Sequence, residues 1–237
     1  MRKFTKIISI LLSAELLLNS FGSVTPLAYA KELQLSIAKP TSSVAEDLKT
    51  GTSISGFKLE SKKWMEDIQS TAMIFKHTKS GAKLIYLKNS DENKVFSISF
   101  RTPVHDNTGV NHIIEHSVLC GSKEYPVKDP FLIMTKQSLN TFINAFTGPD
   151  FTMYPVASKN EKDFNNLMSV YLDAVFYPNI SKDPRILKQE GWHYEFDKET
   201  GELNYNGIVY NEMKGNYSSP EGILWNAINA SLFKDNS

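Results

Sequence analysis

Short runs of alternating apolar and polar residues fill the first hundred positions. Gly56 to Lys63 puts Phe57 and Leu59 on one side. Ser70 to Lys79 carries Ala72, Ile74 and Phe75. Across a Ser80-Gly81 turn, Ala82 to Lys88 answers with Leu84, Tyr86 and Leu87. Val95 to Arg101 sets Phe96, Ile98 and Phe100 against Val95, Ser97 and Ser99. A period of two with turn residues between runs predicts an antiparallel meander with one buried face. The period then changes. Phe164, Leu167, Met168, Tyr171, Leu172 and Val175 recur at helical spacing behind a capping box, Ser158-Lys-Asn-Glu161, and Pro178 ends the run. This helix is read as core. A short helix is expected over Pro130 to Ser138, with extended segments at Asn144 to Thr147 and Phe151 to Val156. Trp192 to Phe196 and Leu203 to Tyr205 read as a strand pair around Lys198-Glu-Thr-Gly201. Ile208 to Lys214 reads as a helix stopped by Gly215, and Ser219 caps a last helix with Pro220 in first position. The expected class is α+β, an antiparallel sheet with helices packed on one face.

Composition bounds this picture. A chain of 237 residues with 41% apolar content can build one good-sized domain or two small ones. Net charge is zero, with no basic footprint for nucleic acid. Residues 1–30 read as a secretory signal: Arg2, Lys3 and Lys6, an apolar run from Ile7 to Leu18, then Ala28-Tyr29-Ala30. The apolar run is too short to span a bilayer and Glu15 interrupts it, so no stable membrane anchor is expected. Export would make the protein secreted. Residues 31–55, rich in Lys, Ser, Thr and Ala, read as a linker, and 56–237 as the folded domain. A single cysteine, Cys120, excludes an internal disulfide.

The candidate chemistry sits in His112-Ile113-Ile114-Glu115-His116. On a helix, residues four apart lie one above the other, so His112 and His116 can turn two imidazoles to one metal ion. Glu115 flanks the same face and can reach a water there. The order is the reverse of the H-E-x-x-H zinc-protease array. Ile113, Ile114, Val118 and Leu119 make the surroundings apolar, and buried polar groups need partners. Cys120 is excluded as a third ligand by length. Eight helical residues span about 12 Å, whereas zinc bonds are about 2.0–2.3 Å. The third ligand comes from elsewhere in the chain. Among later acids Glu212 stands out, on a helical turn with Ile208 and Val209, but composition alone does not select it over Glu190 or Glu195. His77, His105 and His193 are lone residues, read as surface or core.

Four blocks in order carry a family resemblance. They are Gly109 to Ser122, Leu139 to Pro155, Gln189 to Glu195 and Tyr205 to Gly215. This stretch resembles the pitrilysin/insulinase family of zinc metallopeptidases, in its presequence-protease and falcilysin branch. The resemblance implies that family's repeating α+β domain, here incomplete at the C-terminus. It implies one zinc ion per chain, held by His112, His116 and Glu212, with Glu115 as general base. It also implies that Asn144, Ala145, Phe146 and Thr147 form a sheet edge that binds substrate by taking the peptide as an extra strand. The implied activity is hydrolysis of extended or unfolded peptides. Members of the family are several times longer, so further domains or a second chain are expected to complete the enzyme, and the chain alone is expected to be a poor catalyst. Two rivals are a metal-dependent thioether lyase using the same array and a non-catalytic partner subunit. The expected export signal and the edge block argue against the lyase. Retention of all four site residues argues against the partner subunit, while the short chain keeps that reading open.

Overall fold

The structure is a computed structural model and describes residues 48–233. The signal-like segment 1–30 and most of the 31–55 stretch lie outside the described residues. The described residues divide into two compact units, one ending at Lys88 and one beginning at Asn89.

In the first unit, β1 (Ser53–Ile54), β2 (Phe57–Met65), β3 (Ser70–His77) and β4 (Lys83–Lys88) form an antiparallel sheet in sequence order. The short β1 falls at the end of the stretch read as linker. Leu59 pairs with Phe75, and both pack with Met73 in a small core that Leu48 and Phe57 border.

The second unit holds β5 (Lys94–Arg101), α1 (Val110–Val118), α2 (Pro130–Gln137), β6 (Asn140–Ile143), β7 (Phe146–Thr147), β8 (Phe151–Ser158) and α3 (Glu161–Phe176). These are followed by α4 (Pro184–Glu190), β9 (His193–Phe196), β10 (Leu203–Asn206), α5 (Ile208–Ser218) and α6 (Pro220–Leu232). The expectation of one continuous meander fails at β5, which pairs antiparallel with β8 rather than joining the first sheet. The reason is a match of apolar faces. Phe96 lies opposite Val156 and Ile98 opposite Tyr154, and all four belong to the main core. Strand β8 is central, with β5 on one side and β6 and β7 on the other.

Helices pack on one face of this sheet, as an α+β class requires. Val118 and Leu119 from the α1 end meet Leu167, Tyr171 and Ala174 of α3 over Tyr154 and Val156. Burying such side chains contributes about 1.5–3 kcal/mol each. The α3 start differs from expectation. Ser158 closes β8, where its hydroxyl donates to the Leu139 carbonyl, and Asn160 is the true cap, accepting from the Asp163 amide at 3.0 Å. The helix therefore begins two residues later, because Ser158 is already committed to the sheet. Gly215 does not stop α5, which runs to Ser218 and ends where Ser219 caps α6 ahead of Pro220. One interior glycine costs a helix only about 1 kcal/mol. A proline cannot be accommodated so cheaply.

Candidate metal centre

Helix α1 presents the motif. Ile113, Val118 and Ser117 turn inward, and Asn111 ties the helix start to the end of β5 by donating to the Thr102 carbonyl at 2.9 Å. His112 and His116 then meet edge to face on the partly exposed side, with ring centroids 4.9 Å apart and planes 74° apart. Helix α5 brings Glu212. Its approach depends on Gly207, where any Cβ would overlap the Gly191 carbonyl oxygen. Only a residue without a side chain lets the α5 start rest on the backbone that ends α4.

The donor atoms of His112, His116 and Glu212 all lie within 4.8 Å of one another. Glu212 Oε2 is 3.7 Å from His112 Nε2 and 3.6 Å from His116 Nε2. These gaps are too long for good hydrogen bonds. They approach the roughly 3.3–3.4 Å edge of a tetrahedron with bonds of about 2.0–2.1 Å to zinc. Two imidazole nitrogens and one carboxylate oxygen also match a catalytic zinc donor set that leaves a position open. The residues fit the metal.

The residues alone do not decide whether Glu190 is a ligand, and in the structure it takes a different place. It ends α4, is buried, and lies with Oε2 3.3 Å from His116 Nδ1, the ring nitrogen turned away from Glu212. Metal-binding histidines are commonly held this way by a carboxylate. Burial opposes a charge on His116. The Glu190 hydrogen bond and the Glu115 and Glu212 carboxylates outweigh it, so the imidazole pKa is raised. Burial likewise works to raise Glu190, but its bonds to His116, Gln189 and Cys120 leave its pKa below the usual carboxylate value. The signal for α4 was present in the sequence as Asp183-Pro184, an N-cap followed by proline at N1. Glu195, the other candidate, sits on the β9–β10 hairpin and accepts from Asn206 at 2.6 Å.

Cys120 lies beyond α1 with its thiol toward the His116 carbonyl and, at 3.4 Å, Glu190 Oε1. Burial and the Glu190 charge push its pKa far up, so the thiol stays protonated at neutral pH. Its sulfur is also not among the three donors that converge. His77 bonds Ser80 in a turn, and His193 bonds the Lys188 carbonyl.

Glu115 is 6% exposed, and its Oε2 lies 4.0 Å from His112 Nε2. That oxygen accepts a hydrogen bond from Thr147 Oγ1 at 2.8 Å. Of the four residues expected at the sheet edge, Phe146 and Thr147 form β7, while Asn144 and Ala145 occupy the break after β6. The buried Tyr171 hydroxyl donates to the Asn144 carbonyl, and Ala145 packs into the core. Phe146 is exposed. Among the described strands, β7 pairs only with β8.

Comparison with known proteins decides the family. Residues 101–214 match the model "Insulinase (Peptidase family M16)", a segment that contains every residue of the centre. The chain is 56% identical to Protein HypA of Clostridium perfringens over 76% of this chain and 19% of that protein. It is 52% identical to Presequence protease 1, chloroplastic/mitochondrial, of Arabidopsis thaliana over 77% of this chain and 17% of that protein. This chain belongs to the insulinase family of peptidases. A solved structure described as the crystal structure of pitrilysin superposes with a TM-score of 0.47 at 18% identity. That match covers 55% of this chain and 15% of the other, too slight a likeness to argue from. The chain spans about a fifth of the length of the curated relatives it matches.

The same comparison corrects the export expectation. Relatives of this insulinase-family chain in Arabidopsis thaliana, Candida albicans and Xenopus tropicalis are named as mitochondrial or chloroplastic/mitochondrial presequence proteases, not as secreted proteins. The reading rested on a basic start, an apolar run and a small-residue site. That short compositional pattern carries no packing constraint. Among the described residues, no helix is long and apolar enough to cross a membrane.

Proposed function

We propose that this chain is the zinc-binding catalytic domain of a metalloendopeptidase that cleaves extended or unfolded peptides, acting within a longer enzyme. The observation that carries the reading is the convergence of His112, His116 and Glu212 beside a buried acid, Glu115, that touches a sheet-edge strand. His112, His116 and Glu212 would hold one zinc ion. When bound, zinc supplies Lewis acidity, lowering the pKa of a water and polarising a carbonyl. Glu115 is the base that takes the proton from the attacking water and returns it to the leaving amine. Glu190 orients His116. Asn144 to Thr147 offer the edge along which a peptide is held by backbone hydrogen bonds, which makes recognition tolerant of sequence. The four-fifths of the relatives' length outside this match would supply further substrate contacts or enclosure.

The test is metal dependence of peptide cleavage by the full-length protein. A zinc chelator should abolish cleavage of an unstructured fluorogenic peptide, and one equivalent of zinc should restore it. Cleavage that persists in metal-free protein would end the proposal. Glu190→Gln should keep activity at saturating zinc but weaken zinc binding by about 10- to 100-fold, read by competition with a chromophoric chelator. Unchanged affinity would remove Glu190 from the site.

A further inference from the structure

Thr147 joins two parts of this site. Its neighbours in the break and turn fix which way its backbone faces. The Asn144 amide donates to the Pro155 carbonyl, and the Gly148 amide donates to the Phe151 carbonyl, both in the direction of β8. Backbone groups alternate along a strand, so those of Thr147 point the other way, to the edge that no described strand pairs. Thr147 lies directly opposite Thr152, and directly opposed residues put their side chains on the same sheet face. On that face Thr152 is buried and shares a hydrogen bond with Thr102, whose carbonyl holds the start of α1. The Thr147 hydroxyl reaches α1 too, and donates to Glu115 Oε2 at 2.8 Å.

A buried carboxylate needs hydrogen-bond donors, and Glu115 has this one from a side chain on another element. A carboxylate has about four lone-pair sites. One bond to Thr147 fixes the rotation of the group and leaves other sites open to a water proton. We infer that Thr147 is a positioning residue. Its hydroxyl fixes the Glu115 carboxylate, while its backbone faces an incoming peptide strand, so the base is aligned by the residue that receives substrate. The inference rests on the peptidase reading above and deepens it.

The variants separate hydroxyl from shape in the full-length protein. Thr147→Val keeps the branched side chain and removes the donor. Thr147→Ser keeps the donor and removes the methyl. The expected result for Thr147→Val is a kcat lower by about 10- to 100-fold, the scale on which misplacing a reacting group acts. KM should stay within about twofold and zinc at one per chain, because the edge backbone and the metal donors are untouched. Thr147→Ser should recover most of kcat. A Thr147→Val enzyme with wild-type kcat overturns the inference while the peptidase reading stands. So does Thr147→Ser damaged as much as Thr147→Val, or loss of zinc from Thr147→Val, since either assigns the residue to packing alone. A wild-type protein with no metal-dependent cleavage overturns the peptidase reading, and this inference falls with it.

Discussion

Glu115→Gln in the full-length protein should lower kcat by about 10²- to 10⁴-fold, the usual worth of a positioned acid–base group, while bound zinc stays at one per chain. The two halves of this result come from separate features. Glutamine has the same shape, so the buried pocket stays filled, and its amide oxygen can still accept from Thr147. What is lost is proton affinity. Zinc should remain because Glu115 lies outside the group of three converging donors. KM should change little, since the carboxylate is buried and the strand edge is intact. Folding should hold as well, because replacing a buried charge with an amide removes a desolvation cost. Kinetics and metal analysis on one preparation give the answer. Normal turnover would remove Glu115 from the chemistry. Loss of zinc together with turnover would make it a ligand or a structural support instead.

This centre was legible in the sequence to the extent that its geometry is local. The spacing of His112 and His116 is a property of one helix turn, and α1 forms over those residues. Likewise, Ser219-Pro220 and Asp129-Pro130 announce helix starts by local hydrogen bonding, and both cap as such pairs should. Non-local geometry was hidden. Nothing near Glu212 says that it faces α1 rather than solvent, and the residues alone left Glu190 and Glu195 as equals. Their separation depends on Gly207 lying against Gly191, a contact between elements. Strand β5 shows the same limit. Its alternation is plain, but its partner β8 lies about fifty residues away across two helices, and only matching apolar faces select it. At Ser158 two local rules competed. A capping signal lost to a sheet hydrogen bond with Leu139, and the helix start moved to Asn160.

The three proposed ligands should not be equal in effect. His116→Ala should reduce zinc to well under one-tenth of an equivalent after dialysis, whereas Glu212→Gln should weaken binding by about 10²-fold, roughly one ligand's share of a structural zinc site's free energy. Glu212 has a side chain 41% exposed, so water can take over its position when the carboxylate is neutralised. His116 is three-quarters buried, and its removal also takes from Glu190 one of three hydrogen-bond partners, leaving Gln189 and Cys120. That acid is buried and loses the foremost of the three partners that hold its pKa down. A buried carboxylate that loses its imidazole partner and keeps only neutral donors is costlier to hold charged. His116→Ala should therefore lower thermal stability even without zinc, while Glu212→Gln should lower it only when zinc is present. The reason is that a ligand which binds the folded state alone stabilises it in proportion to its occupancy. Melting curves of the full-length variants, with and without zinc, measure both effects. Equal zinc retention by the two variants and the wild type would mean that the ion, if bound, sits elsewhere. Equal destabilisation by both in metal-free buffer would mean that Glu190 does not depend on His116.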